Sequence, residues 1–315
     1  MKKPISIIYM GTPDFSVPAL EKLASRDDIH VSLVITQPDR PKGRGKKMMP
    51  SPVKITALKS GIDLYQPERL NTPESIEKLV SLNPDFFVVA AYGQLLSQKI
   101  LDIPKFYPIN IHASVLPKYR GASPIQAAIL NMDAISGVTT MLMAKKLDAG
   151  DILMSASTPI TPEDTAQDLH DRLAAMGADL IIQTILGVLD HSITPTPQDE
   201  DQATYVKLLQ KSDGRIDWNQ SSQKICAHIN AMTPWPGAFT RLEDRHIKIF
   251  KARASDQCVD NAPGTIFKCD SHGIHVSSGK GTLTILELMG SSGKRLTFSE
   301  FLCGHTINPP VQFGL

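Results

Sequence analysis

The chain has 315 residues, a mass of 34.4 kDa and 42% hydrophobic residues, enough to bury one large core or two smaller ones, and its length predicts two domains. With 33 basic against 32 acidic residues the net charge is +1, so no global field advertises a nucleic-acid partner and any basic surface has to be local. The four cysteines, Cys226, Cys258, Cys269 and Cys303, are widely spaced and form no Cys-x-x-Cys pair. They read as reduced thiols in a cytosolic protein and argue against a disulfide framework or a zinc site.

In chain order, the apolar run Ile5 to Met10 is too short for a signal peptide or a membrane span and predicts a first strand. A helical pattern over Ala19 to Ser25, a strand over Val31 to Thr36, a helical pattern over Glu74 to Ser81 and a strand over Phe86 to Ala91 follow. This alternation predicts βαβ units, an α/β class and a doubly wound, mostly parallel sheet. The first turn, Gly11-Thr12-Pro13-Asp14-Phe15, lacks Gly-x-Gly-x-x-Gly and so argues against a dinucleotide site. Thr161-Pro162-Glu163-Asp164 predicts a capped helix start with Thr161 as N-cap, the helix running through Leu169, Leu173, Met176, Leu180 and Ile181 toward Leu189. His191 to Ala203 is rich in Thr, Pro, Gln and Asp and reads as a linker. Beyond Lys211, short apolar runs punctuated by glycines over Gly237 to Leu242, His246 to Ala252, Gly264 to Phe267, Gly273 to Val276 and Thr282 to Leu288 predict a small all-β unit. The expected domains are therefore 1–190, a linker over 191–210, and 211–315.

The chemistry concentrates in Asn110-Ile111-His112-Ala113-Ser114-Val115-Leu116-Pro117, followed 36 residues after the histidine by Asp148-Ala149-Gly150-Asp151. Two positions apart at a strand end, Asn110 and His112 leave the same face while Ile109 and Ile111 enter the core. Asp148, from a second segment, would fix the imidazole tautomer and favour its protonated form. An amide donor, an imidazole and a carboxylate suit acyl transfer, in which an oxyanion is stabilised and a proton moved. The plain alternatives are a satisfied polar pair at a strand end and a turn-forming Asp148, with Asp151 as rival carboxylate. Ser114 is not a nucleophile candidate, since the Gly-x-Ser-x-Gly elbow is absent. The nine histidines form no His-x-x-x-His cluster, and no metal is expected.

Asn110-x-His112, Ser114-Val115-Leu116-Pro117 and the distant Asp148-x-Gly150 resemble the catalytic segment of the folate-dependent formyltransferases, with Val115 a conservative departure from Ser-Leu-Leu-Pro. The resemblance runs from Ile5 to nearly the last residue and is strongest to the branch that formylates charged initiator tRNA. It implies 10-formyltetrahydrofolate as co-substrate, the methionine amine of initiator Met-tRNA as acceptor, and an OB-like C-terminal barrel that binds tRNA. It further implies catalytic roles for Asn110, His112 and Asp148, and folate contacts for Tyr92, Gln94, Leu95, Ser114, Val115, Leu116 and Pro117. As plain readings, Gly93 merely turns the chain and Tyr92 is core. A cytoplasmic monomer that is not membrane-bound is expected. The competing readings are a formyltransferase for a nucleotide amino-sugar or glycinamide nucleotide, and a non-catalytic RNA-binding homologue; the latter predicts a broken triad, whereas all three residues are present.

From Arg40 to Lys54 there are six basic residues and no acidic one. Glycines and prolines there forbid a regular helix, so a mobile cationic loop is expected over 37–54, suited to phosphate backbones or simply solvated. It resembles the tRNA-binding insertion of the tRNA-formylating branch, which implies tRNA contacts for Arg40, Lys42, Arg44, Lys46 and Lys47, with Arg44 at the acceptor stem. From Thr204 on, thirteen Lys and Arg face nine Asp and Glu, a weak bias that makes Lys207, Lys211 and Lys248 further candidates. Trp218 and Trp235 are expected to pack the barrel rather than stack on bases. Arg44→Ala is expected to weaken binding of charged initiator tRNA in a direct titration, and unchanged affinity defeats the loop assignment.

Overall fold

The computed structural model describes residues 3–42, 45, 47–290 and 293–314. Arg44 and Lys46 lie outside the described residues, as do the side-chain surroundings of Lys42. The polypeptide divides into two compact units that are discontinuous in sequence. One comprises 1–121, 136–158 and 170–205, the other 122–135, 159–169 and 206–315. Residues 191–205, expected as linker, thus go with the first unit.

The first unit is built on a seven-stranded sheet in the order Ile152–Pro159, Ile135–Leu142, Tyr107–His112, Phe86–Ala90, Ile5–Gly11, Ile29–Ile35 and Leu64–Tyr65. From Tyr107–His112 to Leu64–Tyr65 all neighbours are parallel. The central strand Phe86–Ala90 is buried at every residue, as a strand flanked by helices on both faces has to be. Tyr107–His112 pairs antiparallel with Ile135–Leu142, a strand absent from the sequence-based expectation, placing Asn110 opposite Met141 and His112 opposite Thr139. The helix Pro73–Ser81 starts where Thr72 Oγ1 accepts the Ser75 N–H, and it turns Ser75 and Leu79 inward.

The long helix runs from Ala166 to Leu189, starting four residues later than Thr161-Pro162 suggests. The sequence offers two Thr-x-x-Asp pairs in succession, and the second makes the reciprocal box. Thr165 N–H donates to Asp168 Oδ2 at 2.9 Å and Asp168 N–H to Thr165 Oγ1 at 3.3 Å. Thr161 N–H donates to Asp164 in a separate turn before it. By length and composition this helix is apolar enough to cross a membrane, yet Leu169, Leu173, Ile181 and Ile185 are fully buried in the protein.

In the second unit the strands Ala238–Leu242, Arg245–Ser255, Thr282–Met289, Gly273–Ser277, Thr265–Asp270 and Val311–Gly314 pair antiparallel in that order. Val311–Gly314 returns to Ala238–Leu242, closing an OB-like barrel of six strands among the described residues. Closure removes exposed edges. Trp218 fills the interior at 2% exposure, stacked on Phe313 at 5.1 Å and donating Nε1–H to Thr240 Oγ1, as the sequence reading expects. Trp235 departs from that expectation. In Pro234-Trp235-Pro236 it remains 50% exposed.

Ile249, fully buried in the barrel, contrasts with Leu95, exposed in the first unit. Ile249→Ala should cost about 2–5 kcal/mol in chemical denaturation, and Leu95→Ala no more than about 0.5 kcal/mol.

Candidate active site

The site forms at the carboxyl ends of the parallel strands, where ligands bind in open α/β sheets. There Thr12 Oγ1 donates to the Tyr92 carbonyl at 2.9 Å and Gln37 Nε2 to the same oxygen at 3.4 Å, joining the ends of three strands. Asn110 and His112 leave the next strand on one face. Among the described residues nothing hydrogen-bonds the Asn110 side chain, so its amide is available to a ligand.

His112 is 6% exposed. Its Nε2 donates to the Tyr119 carbonyl at 3.0 Å, because a carbonyl can only accept, and this assigns the ring tautomer. The other nitrogen, Nδ1, faces Asp148 Oδ2 at 3.7 Å. That is an ion-pair separation, about 0.7 Å longer than an N–H···O hydrogen bond. Asp148 is at once turn residue and carboxylate. Its φ is +48°, and Oδ2 accepts the Gly121 N–H at 2.8 Å. Asp151 contributes its carbonyl to Leu142 N–H. Of the two rivals, Asp148 is therefore the one that meets the imidazole. Gly150 permits the turn, since any Cβ there would collide with the Leu142 carbonyl.

The residues expected to line the folate divide by exposure. Tyr92 is core, packed in the cluster of Ile8, Met10, Phe87 and Ile100, with its hydroxyl buried and without a hydrogen-bond partner among the described residues. Burial pushes that phenol up, with the nearby Tyr65 adding to it. The Gln94 side chain accepts from Leu70 N–H and donates to the Pro67 and Glu68 carbonyls. Ser114 Oγ donates to the Lys118 carbonyl at 2.6 Å, and Leu116 is buried. The side chains of Tyr92, Gln94 and Ser114 are thus buried or engaged within the protein, while Leu95 and Val115 present exposed side chains and Pro117 is partly exposed.

The expected cationic loop is not irregular throughout. Arg40–Lys42 and Lys47–Met49 pair as an antiparallel ribbon, which tolerates Pro41 because each of its two strands is an edge. Arg40 lies 3.6 Å from Glu68, both exposed, and Lys47 is exposed. Lys54 is not available to a partner: its Nζ holds both oxygens of Asp39 at 2.8 and 2.9 Å. Lys207 and Lys211 are exposed, whereas Lys248 Nζ donates to the Pro236 carbonyl at 2.6 Å.

Sequence reasoning missed the group that supports the site. Arg120 is 0% exposed. It donates from Nη1 to Tyr205 Oη at 2.9 Å, from Nη2 to Glu200 Oε1 at 2.8 Å, and from Nε and Nη2 to Gln198 Oε1 at 3.0 and 2.8 Å. Lys146 Nζ meets the other Glu200 oxygen. The segment carrying these partners looked like linker because it has few large apolar residues. The one available signal was an arginine in Tyr119-Arg120-Gly121 directly after the motif.

Residues 3–185 match the family model described as formyl transferase, and residues 208–306 the one described as formyl transferase, C-terminal domain. A methionyl-tRNA formyltransferase from Citrifermentans bemidjiense is 44% identical over 308 residues, spanning 98% of this chain and 96% of that protein. The chain belongs to the methionyl-tRNA formyltransferase family. Among solved structures, an N-formyltransferase from Helicobacter canadensis in complex with folinic acid and dTDP-3-aminofucose superposes with a TM-score of 0.67 at 20% identity, over 89% of this chain and 98% of that one. HypX from Aquifex aeolicus in complex with tetrahydrofolic acid gives 0.64 at 16% identity, over 94% of this chain and 46% of that one. At such identities the likeness is one of fold. For this member of the methionyl-tRNA formyltransferase family, the two family matches leave 186–207 between them, the stretch holding Gln198 and Glu200. Among the described residues, no three His, Cys, Asp or Glu side chains gather as metal ligands.

Arg120 first, then Lys146, holds the Glu200 carboxyl down to about 2 from an ordinary 4.5. A depressed carboxyl stabilises the fold fully above its unfolded value and loses that contribution as pH falls through its folded value. The urea midpoints of wild type and Glu200→Gln should therefore differ at neutral pH and converge between pH 4.5 and about 2.

Proposed function

We infer that the protein transfers a formyl group from 10-formyltetrahydrofolate to the α-amino group of methionine esterified to initiator tRNA, yielding formyl-Met-tRNA for translation initiation. The 44% identity to a methionyl-tRNA formyltransferase along nearly the whole chain supports the acceptor. The folate ligands of the fold neighbours support the class of donor. The observation that carries the site is the meeting of His112 Nδ1 with Asp148 beside the unengaged Asn110 amide. These groups come from one chain, which fits a monomeric enzyme, and charged tRNA places its work in the cytoplasm. A nucleotide amino-sugar acceptor has only likeness of fold behind it.

The acceptor amine needs no activation, since α-amino groups titrate near about 7.7 to 8 and a neutral fraction exists at pH 7. Its lone pair attacks the formyl carbon, a C–N bond forms, and the carbonyl electrons move onto oxygen. In this reading Asn110 donates its amide N–H to that oxyanion and protonated His112 stabilises it; loss of one such donor typically costs about 10² to 10³ in kcat. With Nε2 committed to Tyr119, Nδ1 is the nitrogen that gives or takes a proton. Asp148 orients the ring and relays the ammonium proton to folate N10 as the N10–carbon bond breaks, directly or through a water. Leu95 and Val115 supply the apolar wall for the folate, with main-chain groups of Tyr92, Gln94, Ser114, Leu116 and Pro117 at its edge. Arg40, Lys42, Arg44, Lys46 and Lys47, with Lys207, Lys211 and Lys248, meet the tRNA.

Formylation of Met-charged initiator tRNA with 10-formyltetrahydrofolate should be rapid in wild type and fall by about 10² or more in His112→Ala, with tRNA affinity unchanged. Tight tRNA binding without transfer by wild type would favour a non-catalytic RNA binder, and transfer surviving in the variant would remove His112 from the mechanism.

A further inference from the structure

We propose that Gln198, held by the buried Arg120, is a positioning residue for Asp148 in formyl transfer. The proposal rests on the catalytic reading of Asp148 given above.

A buried guanidinium has to satisfy its donors within the protein. Arg120 places four of its five N–H bonds on three side chains from one short segment, Gln198, Glu200 and Tyr205. Two of its N–H groups converge on Gln198 Oε1. The other end of the same amide, Nε2, donates to the Asp148 carbonyl at 2.9 Å and the Gly150 carbonyl at 2.7 Å. This orientation of the amide is fixed by chemistry, because a guanidinium only donates and a carbonyl only accepts. Gln198 therefore works as an adaptor, and neither a carboxylate nor an aliphatic side chain of the same length can face both ways.

What it grips is a residue in a sparsely populated conformation. Asp148 has φ +48°, and such a backbone persists where its surroundings overdetermine it. Gln198 fixes its carbonyl while Gly121 N–H fixes its carboxylate. Gly121 follows Arg120, so the contacts close into a ring: Arg120 guanidinium, Gln198 amide, Asp148 backbone, Asp148 carboxylate, Gly121 N–H, and back to Arg120. The aim of the carboxylate at His112 Nδ1 is set by that ring. A purely structural role for Gln198 would lower activity regardless of Asp148; a positioning role works only through it.

The test is a double-mutant cycle on formyl transfer to Met-charged initiator tRNA with 10-formyltetrahydrofolate. Gln198→Glu keeps an oxygen for Arg120 and removes both donors to the Asp148 turn. We expect kcat to fall on the order of 10- to 100-fold, the scale of a misplacement of about 1 Å, with KM for both substrates little changed. In an Asp148→Asn background the same substitution should cost nothing further. An equal loss in both backgrounds, or no loss in the single variant, overturns the proposal. Full kcat in Asp148→Asn alone would instead remove Asp148 from the mechanism, and with it the role assigned to Gln198. Should Gln198→Glu melt far below wild type, Tyr205→Phe takes one acceptor from Arg120 with Gln198 left in place; a loss of kcat confined to the Asp148-containing background supports the proposal, and an equal loss in both overturns it.

Discussion

A guanidinium withdrawn from water needs acceptors within the protein, and Arg120, at the edge of the first unit where the strands end, places four of its five N–H bonds on side chains. Its partners determine the course of two segments. Tyr119 N–H and Arg120 N–H both reach Thr204, at 2.8 Å each, and Ala122 N–H reaches the Val206 carbonyl at 3.2 Å. The chain after the histidine strand and the chain before Val206 are thus laid side by side, and the loop bearing Tyr119 is held where its carbonyl accepts the hydrogen bond of His112 Nε2–H. Removing Glu200 would leave the buried guanidinium without its carboxylate, whereas Glu200 itself is largely exposed. The Asp148 turn is tied to this one buried group through Gln198, and the Tyr119 loop that meets the imidazole is tied to the same segment through Thr204.

The sheet supplies the rest of the geometry by simple periodicity. A strand alternates its side chains, so Ile109 and Ile111 enter the core and Asn110 and His112 share the other face. The antiparallel neighbour Ile135–Leu142 then sets the floor beneath them. Thr139, opposite His112, donates to the Ser114 carbonyl at 2.7 Å and accepts the Leu116 N–H at 3.2 Å, pinning the turn that leads from the histidine. Gly137 lets this strand approach the Ala156 carbonyl and Val115 more closely than any side chain would allow. Small residues and one buried threonine do the positioning for which the polar motif receives the notice.

Charge counted along the sequence overstates charge available at the surface. Lys54 belongs to Asp39 and Lys248 to a backbone carbonyl, so neither is as free as its spacing suggests, whereas Arg40, Lys47, Lys207 and Lys211 remain exposed. Trp235 shows the reverse, an aromatic residue left half in solvent where packing was the natural expectation. Such outcomes turn on which acceptors fold alongside each side chain, and neighbouring sequence does not contain them.

Local pattern determined a good deal. The apolar runs at Ile5, Val31 and Phe86 gave strands within one or two residues of their observed ends, and the five glycine-punctuated runs after Lys211 became five strands of the barrel. Those readings succeed because hydrophobic period and turn chemistry act over a few residues. At the start of the long helix the Thr161 signal, followed by Pro162, was the one read, whereas Thr165, nearer the helical pattern, is the residue that caps it. Asn110, His112 and the pair Asp148 and Asp151 were also legible as a motif; spacing left the two carboxylates open, the family resemblance favoured Asp148, and it is Asp148 that the fold brings to the imidazole. Tertiary structure alone decided the burial of Tyr92 between its two readings, the pairing of Arg245–Ser255 with Thr282–Met289, and the Arg120–Gln198 adaptor. The physical reason is separation: Arg120 and Gln198 are 78 residues apart and Gln198 and Asp148 are 50 apart, and a hydrogen bond across such distances exists only once the whole fold has brought its two ends together.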